Sequence, residues 1–143
     1  MSTIVLDDHL LRDVLADDIG RPLARLLRSH QPATTNLYYA RLCRSAVSSR
    51  GGPLTGTWPI ERRQALAGAL LVLPLDIEIV PMRAIALRMA ELADEHRLST
   101  LGAEAVAAAA HLGGSLVVSE ADDGPGIRAC AKKLRVPYRA IGH

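Results

Sequence analysis

The chain has 143 residues, enough for one domain with one good core, and its 49% hydrophobic content excludes a disordered polypeptide. Aromatic residues are only 3% and Phe is absent, so the core has to be built from Leu, Val, Ile and Ala. The formal charge of +2 is unevenly placed: Ile19 to Ile60 holds six arginines and no Asp or Glu, so +6 there leaves −4 elsewhere. A basic stretch beside an acidic remainder suits a nucleic-acid or acidic-protein partner, and equally suits a solvated arginine face. Met1 to Asp8 reaches an Asp pair before any long apolar run, so neither a signal peptide nor a membrane span is expected. Cys43 and Cys130 stand alone, without metal-ligand or disulfide spacing, as expected of reduced thiols in a cytoplasmic protein.

Thr3 to Leu6 is a short apolar strand that ends in Asp7-Asp8. Leu10, Leu11, Val14 and Leu15 follow at helical spacing, and Gly20 closes that segment. Pro22 sits near the start of a second short helix carrying Leu23, Leu26 and Leu27, with Arg21, Arg25 and Arg28 toward solvent. Thr34, Thr35 and Asn36 offer caps to a helix over Leu37 to Val47. Ser48 to Pro59 reads as a loop, and Ile60 to Val72 as the next helix, stopped by Pro74.

Ile77 to Val80 is a second expected strand. Pro81 precedes a helix with Ile85, Leu87, Met89, Leu92 and Ala93 near its apolar side. Ser99-Thr100 caps an Ala-rich helix ending at Gly113-Gly114. Ser115 to Ser119 is a strand delivering Glu120, the turn Asp123 to Gly126 opens a helix over Ile127 to Leu134, and Val136 to Ile141 is the last strand. Strands alternating with helices imply a single α/β domain over residues 1–143. Its central sheet is expected to be mostly parallel, with about four or five strands and helices on both faces.

Sites in open parallel sheets form beyond the carboxyl ends of strands. Asp7 and Asp8 follow the first strand here. Glu120 follows a later one, with Asp122 and Asp123 close behind. Carboxylates converging from separate strands suit Mg²⁺ or Mn²⁺, ions that serve phosphodiester hydrolysis by activating water and neutralising charge. The plainer assignment is helix capping, by Asp7 or Asp8 at the helix near Leu10 and by Asp123 at the one near Ile127. The five histidines show no ligand spacing. Gly124 to Gly126 reads as a turn rather than an anion site, and no nucleophile elbow is present. Tyr38 and Tyr39, among the arginines, are candidates for stacking on bases or for division between core and surface.

The stretch from Ile77 through "RMAELADEHRLSTLGAEAVAAAAHLGGSLVVSEADDGPGIRACAKKL", with Ile4 to Asp7 at the start of the chain, resembles PIN domains of the VapC toxin type. In that family an amphipathic helix is followed by a "Leu-Ser-x-Tyr-Asp-Ala" helix start, an Ala-rich helix and a "Leu-Val-Thr-x-Asp" strand end. The resemblance implies a metal-dependent endoribonuclease using Mg²⁺ or Mn²⁺, an antitoxin partner and a homodimer. Carried over position by position, Asp7 matches the first family acid and Glu120 replaces the last. The third acid falls on Gly102, and the second has no counterpart, with Arg41 nearest its place.

Glu104 lies two residues past Gly102, about 200° around a helix, and does not substitute for the missing Asp. The expected metal pair is therefore Asp7 and Glu120, with Asp8, Glu104, Asp122 and Asp123 as weaker candidates. Arg21, Arg25, Arg28, Arg41 and Arg44 are the expected RNA contacts. The broken acidic set favours a catalytically weak or inactive module that binds RNA or protein; the alternative is an active endoribonuclease toxin.

Overall fold

Successive residues of the first strand bury on opposite faces of one sheet, and this alternation sets the layers of the molecule. Ile4 and Leu6 pack with Leu10, Leu23, Val117 and Ile141, while Val5 faces the other way, among Leu116, Val118, Val106 and Leu92. The computed structural model describes residues 2–50 and 52–143; Gly51, in the expected loop, lies outside them. Along the chain the elements are β1 (Ser2–Leu6), α1 (Asp8–Leu15), α2 (Arg21–Leu27), β2 (His30–Thr34), α3 (Asn36–Val47) and α4 (Ile60–Leu71). They continue with β3 (Glu78–Ile79), α5 (Met82–His96), α6 (Thr100–Leu112), β4 (Ser115–Ser119), α7 (Pro125–Lys133) and β5 (Tyr138–Ile141). A single 3-10 turn, Glu120–Asp122, links β4 to α7.

The five strands form one sheet in the order β3-β2-β1-β4-β5, every pair parallel. The α/β domain with helices around a parallel sheet is thus the observed architecture. β1 lies at the centre, so whatever follows Leu6 emerges in the middle of the sheet's carboxyl edge. A third apolar group, Leu11, Leu42, Leu66, Leu70 and Ile77, joins α1 to α3 and α4.

Three expectations change. A strand at His30–Thr34 replaces what reads as connection, because His30, Gln31 and Pro32 hide the extended run behind polarity and a missing N–H. Its place between β1 and β3 is held by parallel pairing, with Ile4 opposite Pro32, and by the Thr34 hydroxyl donating to the Leu6 carbonyl at 2.9 Å. The strand expected over Ile77 to Val80 shortens to two residues at the sheet edge. On α5, Ile85, Met89 and Leu92 are buried, but Leu87 is 77% exposed, since it lies off the face those three define.

The Ala-rich helix α6 is buried from Gly102 to Ala109. Small side chains let it run close to the sheet while α5 covers its other side. At its end the chain passes directly over β1: a Cβ on Gly114 would come within 2.3 Å of the Thr3 carbonyl oxygen, so glycine is required there.

One charged group is buried in this layer. Glu104 is fully buried, and its carboxylate accepts from the Leu37 amide at 2.8 Å, the Asn36 amide at 3.2 Å and the Asn36 side-chain amide at 2.8 Å. It satisfies the free N–H groups at the start of α3 and favours that helix end by its charge. Glu104 is thereby a structural anchor between α6 and α3. Glu104→Ala leaves these donors buried without a partner, and urea unfolding is expected to show a loss of about 3 kcal/mol or more, with Glu104→Gln losing roughly half. A loss below about 1 kcal/mol in Glu104→Ala would mean that water replaces the carboxylate without penalty.

Candidate functional site

Asp7 ends β1 and caps α1. Its two carboxyl oxygens accept from the Leu10 amide and the Ser119 amide, each at 2.9 Å, which ties the carboxyl to both α1 and the end of β4. Asp8 and His9 occupy the first turn of α1, and Asp122 arrives from the 3-10 turn after β4. One ligand atom from each of Asp7, Asp8, His9 and Asp122 lies within 4.8 Å of the others, and this is the group of metal-ligand type found among the described residues.

Its centre is the His9 ring. Nδ1 lies 3.1 Å from Asp122 Oδ2, 3.2 Å from Asp8 Oδ1 and 3.8 Å from Asp7 Oδ2. The Arg41 guanidinium closes the other side, 3.2 Å from Asp8 Oδ2, an oxygen that is fully buried and has no hydrogen bond. Asp7 and Asp8 are both inaccessible to solvent.

The charges follow from this packing. Asp122 first and Asp8 second stabilise the imidazolium and outweigh its burial, raising the His9 pKa from 6.5 to about 10. Burial, reinforced by Asp122, raises the Asp7 pKa from 3.8 to about 8. Burial also opposes ionisation of Asp122, but His9 foremost, with Asp7 and Asp8, more than offsets it and holds that carboxyl below the usual range. Burial thus favours the protonated form of Asp7, and His9 and Arg41 face the carboxyls of Asp8 and Asp122.

The remaining expected residues fall elsewhere. Glu120 is exposed and outside the converging group; its carboxylate oxygens lie 3.5 Å from where a Cβ on Gly142 would stand. Asp123 accepts from the Tyr138 hydroxyl at 2.8 Å and pairs with Arg128 at 2.9 Å, a surface network apart from the group. Gly102 lines a cavity of about 210 Å³ together with Tyr38, Ser99, Ile127 and Asp122, so this position adjoins a member of the acidic group.

The basic stretch divides in two. Arg41 and Arg44 line a cleft of about 370 Å³ with Ser45, Ser48 and Leu54, beside the acidic group. Arg21 and Arg25 line another, of about 750 Å³, beyond α2, and Arg28 lines neither. Tyr38 is buried in the core and Tyr39 donates to the Leu70 carbonyl at 2.6 Å, so both rings are committed to packing.

His9 is the member that sequence spacing missed. Its signal is local: it directly follows the Asp pair at a strand end, whereas a search for spaced histidines looks for partners along the chain. Asp122, two residues past the expected Glu120, is reached because the 3-10 turn folds it back toward Asp7.

No family model matches the chain, and no curated protein matches it. No helix among the described residues is long and apolar enough to cross a membrane.

A pH dependence follows with a definite sign. Because the folded pKa of His9 is raised, its contribution to stability is complete below about pH 6.5 and is lost as pH rises through about 10. Asp7, also raised, loses its contribution between about pH 3.8 and 8. Asp122, lowered, contributes above about pH 3.8 and loses that contribution as pH falls below it. The thermal midpoint is therefore expected to fall from pH 8 to pH 10, with that fall flattened in His9→Gln. Equal slopes for the two proteins in this window would remove the imidazolium from the account.

Proposed function

We propose that this chain is a PIN-like RNA-binding module whose acidic pocket is neutralised by its own side chains and turns over phosphodiesters weakly or not at all. The observation that carries this reading is the pair of cations, His9 and Arg41, seated on the carboxyls of Asp8 and Asp122. A bare pocket of carboxylates repels a phosphodiester strand unless a metal ion is present. With an imidazolium and a guanidinium in place that repulsion is cancelled. The adjoining cleft presents Arg41 and Arg44, and guanidinium forks suit phosphate oxygens.

The donor set and the charges of the group point in opposite directions for a metal. Carboxylate oxygens are the right ligands for Mg²⁺ or Mn²⁺. However, both oxygens of Asp7 already accept main-chain hydrogen bonds, and His9 and Arg41 stand where an ion would need unopposed carboxylates. As they stand these residues do not fit the ion, and no hydrolytic step is derived through it.

A second reading, a Mg²⁺- or Mn²⁺-dependent endoribonuclease of a toxin–antitoxin pair, is favoured by the four ligand atoms within 4.8 Å. It requires His9 to give up its proton and Arg41 to withdraw.

Two substitutions separate the readings. A Cβ on Gly102 meets only ordinary contacts, 3.6 Å to Ser99 Oγ and 3.8 Å to Ile127 Cδ1, so Gly102→Asp is accommodated beside Asp122. Combined with Arg41→Glu, it exchanges one cation for two carboxylates. Calorimetric titration is expected to show Mn²⁺ affinity raised at least about tenfold, about 1.4 kcal/mol. The unmodified chain is expected to cleave single-stranded RNA negligibly with either ion. Tight Mn²⁺ binding by the unmodified chain, with cleavage that disappears in Asp7→Ala, would establish the second reading instead.

A further inference from the structure

The larger basic cleft is lined by the start of α2, the residues just before it, Arg139 of the edge strand β5 and His143. Arg21 and Arg25, one helical turn apart, project into it from α2. Arg139 projects from β5 on the same face as Ile141, the residue that packs against Leu23 of α2. Three arginines from segments more than a hundred positions apart thus line one concavity of about 750 Å³.

No acidic side chain lines it, and among the described residues none of the three arginines makes an ion pair. Asp18, next in sequence to the lining residue Ile19, is already engaged by Arg62 at 3.2 Å and by His143. A Cβ on Gly20 would come within 2.2 Å of the His143 main-chain oxygen, which in this sequence belongs to the terminal carboxylate, so one negative group also borders the cleft.

Like charges within a Debye length of about 8 Å repel one another, and an anion with several oxygens converts that cost into attraction. Planar guanidiniums select phosphate through paired N–H donors. We propose that the cleft between α2 and β5 is a phosphate-binding subsite, separate from the acidic pocket, formed by Arg21, Arg25 and Arg139. Its ligand is the phosphate backbone of a single strand or a free polyphosphate. The strand source rests on the RNA-binding reading above; the free source does not.

The test compares three proteins: the unmodified chain, the triple variant Arg21→Gln/Arg25→Gln/Arg139→Gln, and a charge-matched control, Arg83→Gln/Lys132→Gln/Lys133→Gln. All six positions are exposed, and equal thermal midpoints verify that each protein is folded. Each is titrated with a twelve-nucleotide uridine oligomer over a range of salt, and separately with inorganic pyrophosphate. The triple variant is expected to lower the log–log salt slope for the oligomer by about 2, as for three phosphates on a single strand, and to abolish pyrophosphate binding. The control is expected to keep both nearly unchanged.

Loss of oligomer binding alone assigns the subsite to a strand, and loss of pyrophosphate binding alone assigns it to free polyphosphates; either supports the subsite. If the unmodified chain binds no oligomer, the RNA-binding reading fails while pyrophosphate still decides the subsite. A triple variant indistinguishable from the control in both titrations overturns the proposal.

Discussion

Asp7 stands where three parts of the molecule meet. Its carboxyl accepts from the first turn of α1 and from the end of β4, so the central strand, the helix that follows it and the neighbouring strand share one buried polar group. A carboxyl at this point has no water to stabilise its charge, and the surroundings must either supply cations or keep it protonated. Both solutions are present. His9 and Arg41 bring positive charge to its neighbours, and burial favours the protonated form of Asp7 itself. The rest of the site is arranged around that constraint.

The same constraint explains why the acidic group reads as a settled network. Asp7 has two amides, Asp8 has the His9 ring and, at an Oδ2 that accepts no hydrogen bond, the Arg41 guanidinium, and the partly exposed Asp122 has the His9 ring. Removing any member of such a group would strand the others in low dielectric. Chemistry that needs an open coordination position would have to displace these contacts.

Glu104 shows how closely a structural acid can imitate a functional one. It lies on the helix where the resembled family carries a functional acid, is fully buried, and is two residues from Gly102. Its helical angle turns it away from Asp122 and toward the start of α3, where it answers main-chain amides. Gly102, on another side of the same helix, lines a cavity with Tyr38 and Asp122.

The sequence alone determined the α/β class, most helix boundaries and Asp7 at the end of the central strand, because local periodicity, caps and strand-end acids are written in adjacent residues. β2 escaped because Pro32 and its polar neighbours become a strand only by pairing with β1 and β3. The membership of the site was decided by tertiary structure. Asp122 rather than Glu120 meets Asp7 because a single 3-10 turn rotates it inward, and Arg41 reaches Asp8 only through the packing of α1 on α3. The arginine stretch was plain as composition, yet the cleft of Arg21 and Arg25 also draws on Arg139, more than a hundred positions away, which no local pattern connects to Arg21. Charges sum along a sequence, but where they converge is a property of the folded surface.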